Sequence, residues 1–400
     1  MISGSWEDAS TIGFTARYGL TSNVIGGKIY VFGGISSGSV VNTLEVFDPA
    51  TDSWSTPETA GLASPRAFHT ASEVGGKIYI IGGITQTSST YPDSMVDVFD
   101  PATSSWSSLV TSGTFIPRLW HCAAAVGNKI YVFGGDTTFQ AVPTITKTVQ
   151  VLDLATKAWS TLTTTGKFIP PFLSTCNVIG SKIYFTGGED STGNHSLSTY
   201  EIFDPVTNSW TIPATEGSMV ARGGQASAYV DSNLIVFGGF GASSDISSTQ
   251  ALYISKNEWY TPSFGDGFIA RDALTASTVN NEIFTIGGEN NASVALSINE
   301  MLTLKSDIVT LNNADSALDI FPNPATSILH ILCNVAPIRE IVIFDALGRK
   351  ALDIEEKVHS ISTDGQQDYA VDLQSLSPGN YFIEIRTNEE NSWQRLSILR

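Results

Sequence analysis

Short runs of β-branched and aromatic residues, each bracketed by turn formers, recur along most of the chain: GGKIYVFGG, GGKIYIIGG, GNKIYVFGG, GSKIYFTGG, DSNLIVFGG and NNEIFTIGG. Their length and their Gly or Asn boundaries predict strands. Each run closes on a diglycine or its equivalent, at Gly33-Gly34, Gly82-Gly83, Gly134-Gly135, Gly187-Gly188, Gly238-Gly239 and Gly287-Gly288, with steps of 49, 52, 53, 51 and 49 residues between them. A fixed period near 50 marks a repeat in which each unit is one supersecondary block.

Within each unit a first strand leads through a Gly or Asn turn to the run above, then a variable loop leads to LEVFDPATDSW or a relative of it. Proline fixes φ in the Asp-Pro pair and the aspartate caps the backbone before it, so FDPAT, FDPVT and LDLAT predict hairpin turns. Asp48, Asp100, Asp153 and Asp204 are therefore read as turn residues in preference to metal ligands. Trp54, Trp106, Trp159, Trp210 and Trp259 follow the turns as large apolar plugs between neighbouring sheets. Five tryptophans serve six diglycines; Trp6 stands 27 residues before Gly33, just as Trp54 stands 28 before Gly82. The N-terminal strand is thus expected to complete the last unit, which closes a ring and hides its sheet edges.

The diglycine, the following tryptophan and a basic residue ahead of the first strand resemble the kelch-repeat β-propellers over residues 1–304. The resemblance implies an all-β, six-bladed propeller closed by the N-terminal strand. Blade 5 departs from the pattern with LYISKNEW in place of the Asp-Pro turn.

Sixteen residues before each diglycine stand Arg17, Arg66, Arg118, Pro171, Arg222 and Arg271, and the five arginines are the only ones in residues 1–310. That segment holds 26 Asp and Glu against 14 Lys and Arg. In a propeller this position is the start of the innermost strand, so the guanidinium groups are expected around one mouth of the central channel. Two roles stand open: a structural tie within the blades, and contact with an anionic ligand through the planar fork. Antiparallel pairing is expected to set the residue after each diglycine, namely Ile35, Ile84, Asp136, Glu189, Phe240 and Glu289, beside the arginine of its own blade. Asp136 then pairs with Arg118 and Glu289 with Arg271, leaving Arg17, Arg66 and Arg222 toward ligand. The expected ligand-binding residues are Arg17, Arg66, Arg118, Arg222, Arg271 and Phe240. Glu189, opposite Pro171 and without an arginine, is the candidate general base.

His69 and His121 share a register three residues after Arg66 and Arg118, where the other blades carry Leu20, Ser174, Gln225 and Leu274. Without a third ligand in register they are read as structural. The stretch GGEDSTGNHS gathers Glu189, Asp190 and His195 on a polar turn. Cys122, Cys176 and Cys333 are widely spaced and predict neither a metal knuckle nor a disulfide framework. No metal and no cofactor is expected. The net charge of −18 argues against nucleic acid as a partner. No apolar run reaches the length of a transmembrane helix, and Met1-Ile2-Ser3 lacks signal-peptide character, so the start is read as trimmed.

After Leu304 the repeat stops. Residues 305–317 read as a polar linker, and residues 318–400 show the alternation of a small Ig-like β-sandwich in ILHILCN, EIVIFDALGRKAL, DYAVDL, YFIEIRT and QRLSILR. This tail resembles the type A C-terminal sorting domain of type IX secretion cargo through FPNPA, FDALGRK, LSPGNYFIEI and a final basic strand. The resemblance implies export of a bacterial protein to the outer-membrane surface or beyond, through that secretion machinery. The functional expectation is a binding module for an anionic glycan, sugar acid or acidic peptide. The alternatives are a sugar-acid mutarotase or epimerase, since one kelch subfamily acts on sialic acid, and a protein scaffold using loops such as Asp136 to Lys147.

Overall fold

The computed structural model describes residues 2–305 except 89–90, 141, 170–171 and 266, and residues 318–398 except 322–327, 334–337, 346–348, 356–359, 364–365 and 388–390. The chain divides into two compact units, 1–305 and 306–400. The expected linker lies almost wholly outside the described residues.

The first unit is a ring of six four-stranded antiparallel sheets. Blade 1 is Thr21–Ile25, Lys28–Phe32, Leu44–Asp48 and Ser53–Ser55, ordered from the channel outward, and blades 2 to 5 repeat it. Inner strands pair with diglycine strands through tight turns such as Gly26-Gly27, both at positive φ, where a side chain would be strained. The Asp-Pro turns behave as expected: Asp48 Oδ1 accepts the Ala50 N–H at 3.1 Å and Asp100 Oδ1 that of Ala102 at 3.0 Å. Lys28 and Lys77, which open the diglycine strands, reach across to Asp48 and Asp100 at 2.9 and 2.8 Å.

Blade 6 is Thr275–Val279, Glu282–Ile286 and Asn299–Lys305, completed on its outer edge by Ser3–Asp8, with Trp6 opposite Leu302. The ring thus closes through the N-terminal strand. Trp6 takes the place the sequence lacks, packing 5.5 Å from Phe237 and 5.2 Å from Phe268 between ring centroids. The other tryptophans do likewise, Trp159 stacking on Phe115 at 4.4 Å and Trp210 on Phe168 at 4.3 Å.

A second lock runs around the channel. The residues two positions after the arginine register, Gly19, Phe68, Trp120, Leu173, Gly224 and Ala273, all have φ between 48° and 65°. Each donates its N–H to the carbonyl of its counterpart in the preceding blade, from Phe68 to Gly19 and finally from Gly19 to Ala273, at 2.8–3.1 Å. The six bonds form a closed circle.

The second unit packs two four-stranded sheets around Leu329, Ile331, Ile341, Ile343, Val371, Ile383, Ile385 and Leu396. Arg349 of FDALGRK binds Asp345 at 2.7 Å, and Tyr381 of LSPGNYFIEI donates to the Ser377 carbonyl at 2.9 Å. The FPNPA segment lies largely outside the described residues.

Candidate functional site: the arginine-side mouth

The long connections, both within blades and between them, emerge at the end of the channel where the arginine register lies; the opposite end carries the tight turns. The five arginines do line up there, but all are 0% exposed. Arg17 is paired with Glu45. Arg66 binds Asp97 at 3.1 Å and the Gly82 carbonyl at 2.8 Å. Arg271 binds Glu300 at 2.6 Å, the Gly287 and Ile269 carbonyls at 2.8 Å and Thr285 Oγ1 at 2.9 Å. Arg118 and Arg222 bind Gln150 and Gln250 at 2.6 and 3.0 Å, and burial without a carboxylate partner brings both down to about 10. In each described blade the guanidinium ties the inner strand's entrance to the third strand. The position holding Pro171 is outside the described residues.

This corrects two expectations. The residue after the diglycine pairs with the residue after the arginine: Tyr18 with Ile35, Ala67 with Ile84, Leu119 with Asp136, Gly223 with Phe240 and Asp272 with Glu289. Because side chains alternate faces along a strand, one residue of register moves the partner to the other side. Asp136 therefore binds Thr138 and Thr144 in its own loop and Glu289 faces Asp272, so neither pairs with an arginine. Arg17, Arg66 and Arg222 are likewise not left toward solvent, because Glu45, Asp97 and Gln250 occupy them.

His69 and His121 are buried seam residues. Their Nε2 atoms meet Thr21 and Thr70 of the preceding blades at 2.9 and 2.8 Å, and burial beside Arg66 brings His69 down to about 3. Among the described residues no group of three or more His, Cys, Asp or Glu is arranged to hold a metal.

What the mouth presents is different in kind. On blades 1 to 4 it is an aromatic shelf: Phe68 lies 6.1 Å from Tyr18 and 5.0 Å from Trp120, and Trp120 lies 5.5 Å from Phe139 and 5.6 Å from Phe172. On blades 4 to 6 it is acidic. Burial together with Glu289 and Asp245 raises Asp272 to about 7, and burial with Asp245 raises Glu289 to about 6. Asp245 Oδ2 and Glu289 Oε2 have no hydrogen-bond partner among the described residues. Glu189 is half-buried and raised by burial and by Asp190, whose own carboxylate holds His195 at 2.8 Å. Phe240 lies between, against Gly223 and Gly224. Below the mouth, a channel cavity of ≈ 260 Å³ is lined by the inner strands of all blades, with Thr21, Ser22, Thr70, Thr175, Ser227 and Thr275 supplying hydroxyls.

Sequence reasoning missed Phe68, Trp120 and Asp272. Another residue escaped it as well: Glu201 occupies in blade 4 the place of Glu45, Asp97 and Glu300, yet Pro171 stands where its arginine is due. Glu201 is buried and raised to about 7, chiefly by desolvation.

A ring of six such blades with these buried struts defines a kelch propeller, and the KLHDC2/KLHL20/DRC7 Kelch-repeats domain matches residues 2–135, 68–288 and 173–327; the chain belongs to the kelch-repeat family. Residues 319–399 match the secretion system C-terminal sorting domain, which marks the protein as type IX secretion cargo destined for the cell surface or the extracellular space. The chain is similar to acyl-CoA-binding domain-containing protein 4 of Arabidopsis thaliana, 28% identical over 69% of this chain and 43% of that one. It is also similar to the Rab9 effector protein with kelch motifs of Bos taurus, 34% identical over 32% of this chain and 37% of that one. It thus spans less than half the length of these relatives. Among solved structures, that of YjhT superposes with a TM-score of 0.62 at 18% identity, covering 74% of this chain and 100% of that one, a likeness of fold.

Proposed function

We propose that this exported propeller binds a saccharide at the arginine-side mouth, with a sugar ring stacked on Phe68 and Trp120 and its hydroxyl or amino groups met by Asp272, Glu289 and Glu189. The observation that carries this reading is the aromatic shelf of Phe68 and Trp120 beside the acidic rim of Asp272 and Glu289. At the left-handed position that closes the circle, blades 1 and 5 use Gly19 and Gly224, blades 4 and 6 Leu173 and Ala273, and blades 2 and 3 place the large rings of Phe68 at φ 57° and Trp120 at φ 52°. A left-handed conformation costs a residue with a side chain roughly 1–2 kcal/mol, which the circle accounts for in every blade; what is particular to blades 2 and 3 is the aromatic ring held there. Amphipathic aromatic faces beside hydrogen-bonding groups suit a sugar ring. The acidic rim and the occupied arginines favour a neutral or amino sugar over the anionic ligand expected from the sequence.

A second reading, a sugar mutarotase, is favoured by Asp272 near 7 and Glu289 near 6, values suited to proton transfer around neutral pH. Proton NMR of the full chain with neutral, amino and acidic sugars separates the readings. Saturation transfer from neutral or amino sugars supports binding, accelerated anomeric exchange in the same tubes supports catalysis, and transfer from acidic sugars alone overturns the ligand class.

A further inference from the structure

Two of the three cysteines meet in the channel wall, on a seam the mouth does not use. Cys122 opens the inner strand of blade 3, Cys122–Val126, and Cys176 is the second residue of the inner strand of blade 4, Thr175–Ile179. Their contacts are reciprocal. The Cys122 thiol reaches the Ser174 carbonyl at 3.2 Å, two residues before Cys176, and the Cys176 thiol reaches the Ala123 carbonyl at 3.4 Å, one residue after Cys122. Both belong to one apolar cluster and line one cavity. The Cys122 thiol and burial hold the Cys176 thiol well above its ordinary range. A second strand-to-strand thiol contact of this kind is absent from the other seams, where the corresponding inner-strand positions are hydroxyl-bearing or small, as in Thr21 with Ser22 and Thr275 with Ala276.

The protein leaves the reducing cytoplasm for the cell surface, and compartments beyond the inner membrane sustain disulfides. We propose that Cys122 and Cys176 form an interblade disulfide that staples blade 3 to blade 4. The oxidant is a disulfide of the exporting compartment, borne by a protein or a small thiol. One cysteine thiolate attacks an acceptor sulfur, forming a mixed disulfide and releasing one acceptor thiolate. The second cysteine thiolate then attacks the protein sulfur of that mixed disulfide and expels the other acceptor thiolate. Two electrons pass to the acceptor, the two protons lost by the cysteines appear on its thiols, and one S–S bond joins the blades. Exchange proceeds through the thiolate, and a raised thiol presents little of it; the bridge therefore forms fastest during folding, before the seam is buried.

The test compares full-length protein recovered from a bacterial periplasm with protein from the cytoplasm. Thiols are alkylated in denaturant before and after reduction, and masses are read for intact protein and for unreduced proteolytic peptides. The expected result for periplasmic protein is one alkylated thiol before reduction and three after it, a mass lower by about two hydrogens, and a peptide joining Cys122 to Cys176. A Cys333→Ser variant keeps the bridge, and reduction lowers the propeller's melting temperature by roughly 5–15 °C. Three free thiols in periplasmic protein incubated with glutathione disulfide overturn the proposal. So does a bridge that includes Cys333, or blocked thiols without the loss of two hydrogens.

Discussion

The Ile169 backbone N–H is shared between both oxygens of the Glu201 carboxylate, at 3.2 and 3.3 Å, and supports a group that in blades 1, 2 and 6 is neutralised by an arginine. Its pKa stands at about 7, above the 4.5 of a free glutamate, because burial penalises the charged form. Between those values the folded protein holds a proton that the unfolded chain has released. Stability therefore falls as pH rises from about 4.5 to 7 and levels off above that. Glu201→Gln, which copies Gln150 and Gln250, is expected to remove about one proton of this linkage and to stabilise the protein by about 3 kcal/mol at pH 8. Urea unfolding across pH 4.5–8 checks this; equal slopes for variant and parent refute it.

The arginine struts differ in what their loss leaves behind. Arg271→Ala abandons the buried Glu300 carboxylate, whereas Arg222→Ala abandons the neutral Gln250. Removing one partner of a buried ion pair costs about 3–5 kcal/mol, and a neutral hydrogen-bond acceptor left unsatisfied about 1–3. Denaturant midpoints should rank Arg271→Ala as the more damaging, and saccharide binding should survive in Arg222→Ala.

Phe68→Gly and Trp120→Gly relieve the left-handed strain while deleting the shelf. For Phe68→Gly, lost packing against Tyr18, Trp120 and Phe139 offsets that relief, so stability is expected to change by no more than ~1 kcal/mol. Saccharide binding should fall at least tenfold in titration calorimetry. Unchanged affinity in both variants sinks the mouth as the binding site.

Ring closure rests on Trp6. Trp6→Ala is expected to destabilise the propeller by about 2–3 kcal/mol, below the range for a fully buried aromatic because Trp6 is partly exposed. Gly267→Ala should also be damaging, since an added Cβ there meets the Trp6 side chain. Thermal melts of both check the expectation.

If the mouth catalyses anomeric exchange, Asp272 near 7 and Glu289 near 6 place its pH response in that interval. Asp272→Asn should then abolish exchange while leaving stacking on Trp120, and a titration of rate against pH should lose its limb near 7.

The blade count, the closing strand and the tail were legible because each rests on repeated spacing: diglycines, tryptophans, and ordered motifs after residue 318. The arginine register was legible as well, with a structural tie among its two open roles, but the partners of each guanidinium were not. A one-residue offset between Tyr18–Ile35 pairing and the assumed Arg17–Ile35 pairing reverses which side chains meet, and one sequence does not reveal that offset. Two signals were present and went unread. Gly19 and Gly224 mark the left-handed position that Phe68 and Trp120 also occupy. Glu45, Asp97, Gln150, Gln250 and Glu300 form the column of strut partners that exposes Glu201 as unpaired. Glu189 and Glu289 share the place after the diglycine, but that Asp245 and Asp272 gather beside Glu289 required the fold.

The circle of backbone bonds through Gly19, Phe68, Trp120, Leu173, Gly224 and Ala273 has no first or last member. An open stack of repeats grows by adding a unit to its end, but here a duplicated blade finds no free donor or acceptor to join. It must break the circle and rebuild it at a new circumference, with every unit turned by a different angle. A change in blade number therefore has to rebuild the whole circle, whereas a change in the loops that crown the blades leaves it intact.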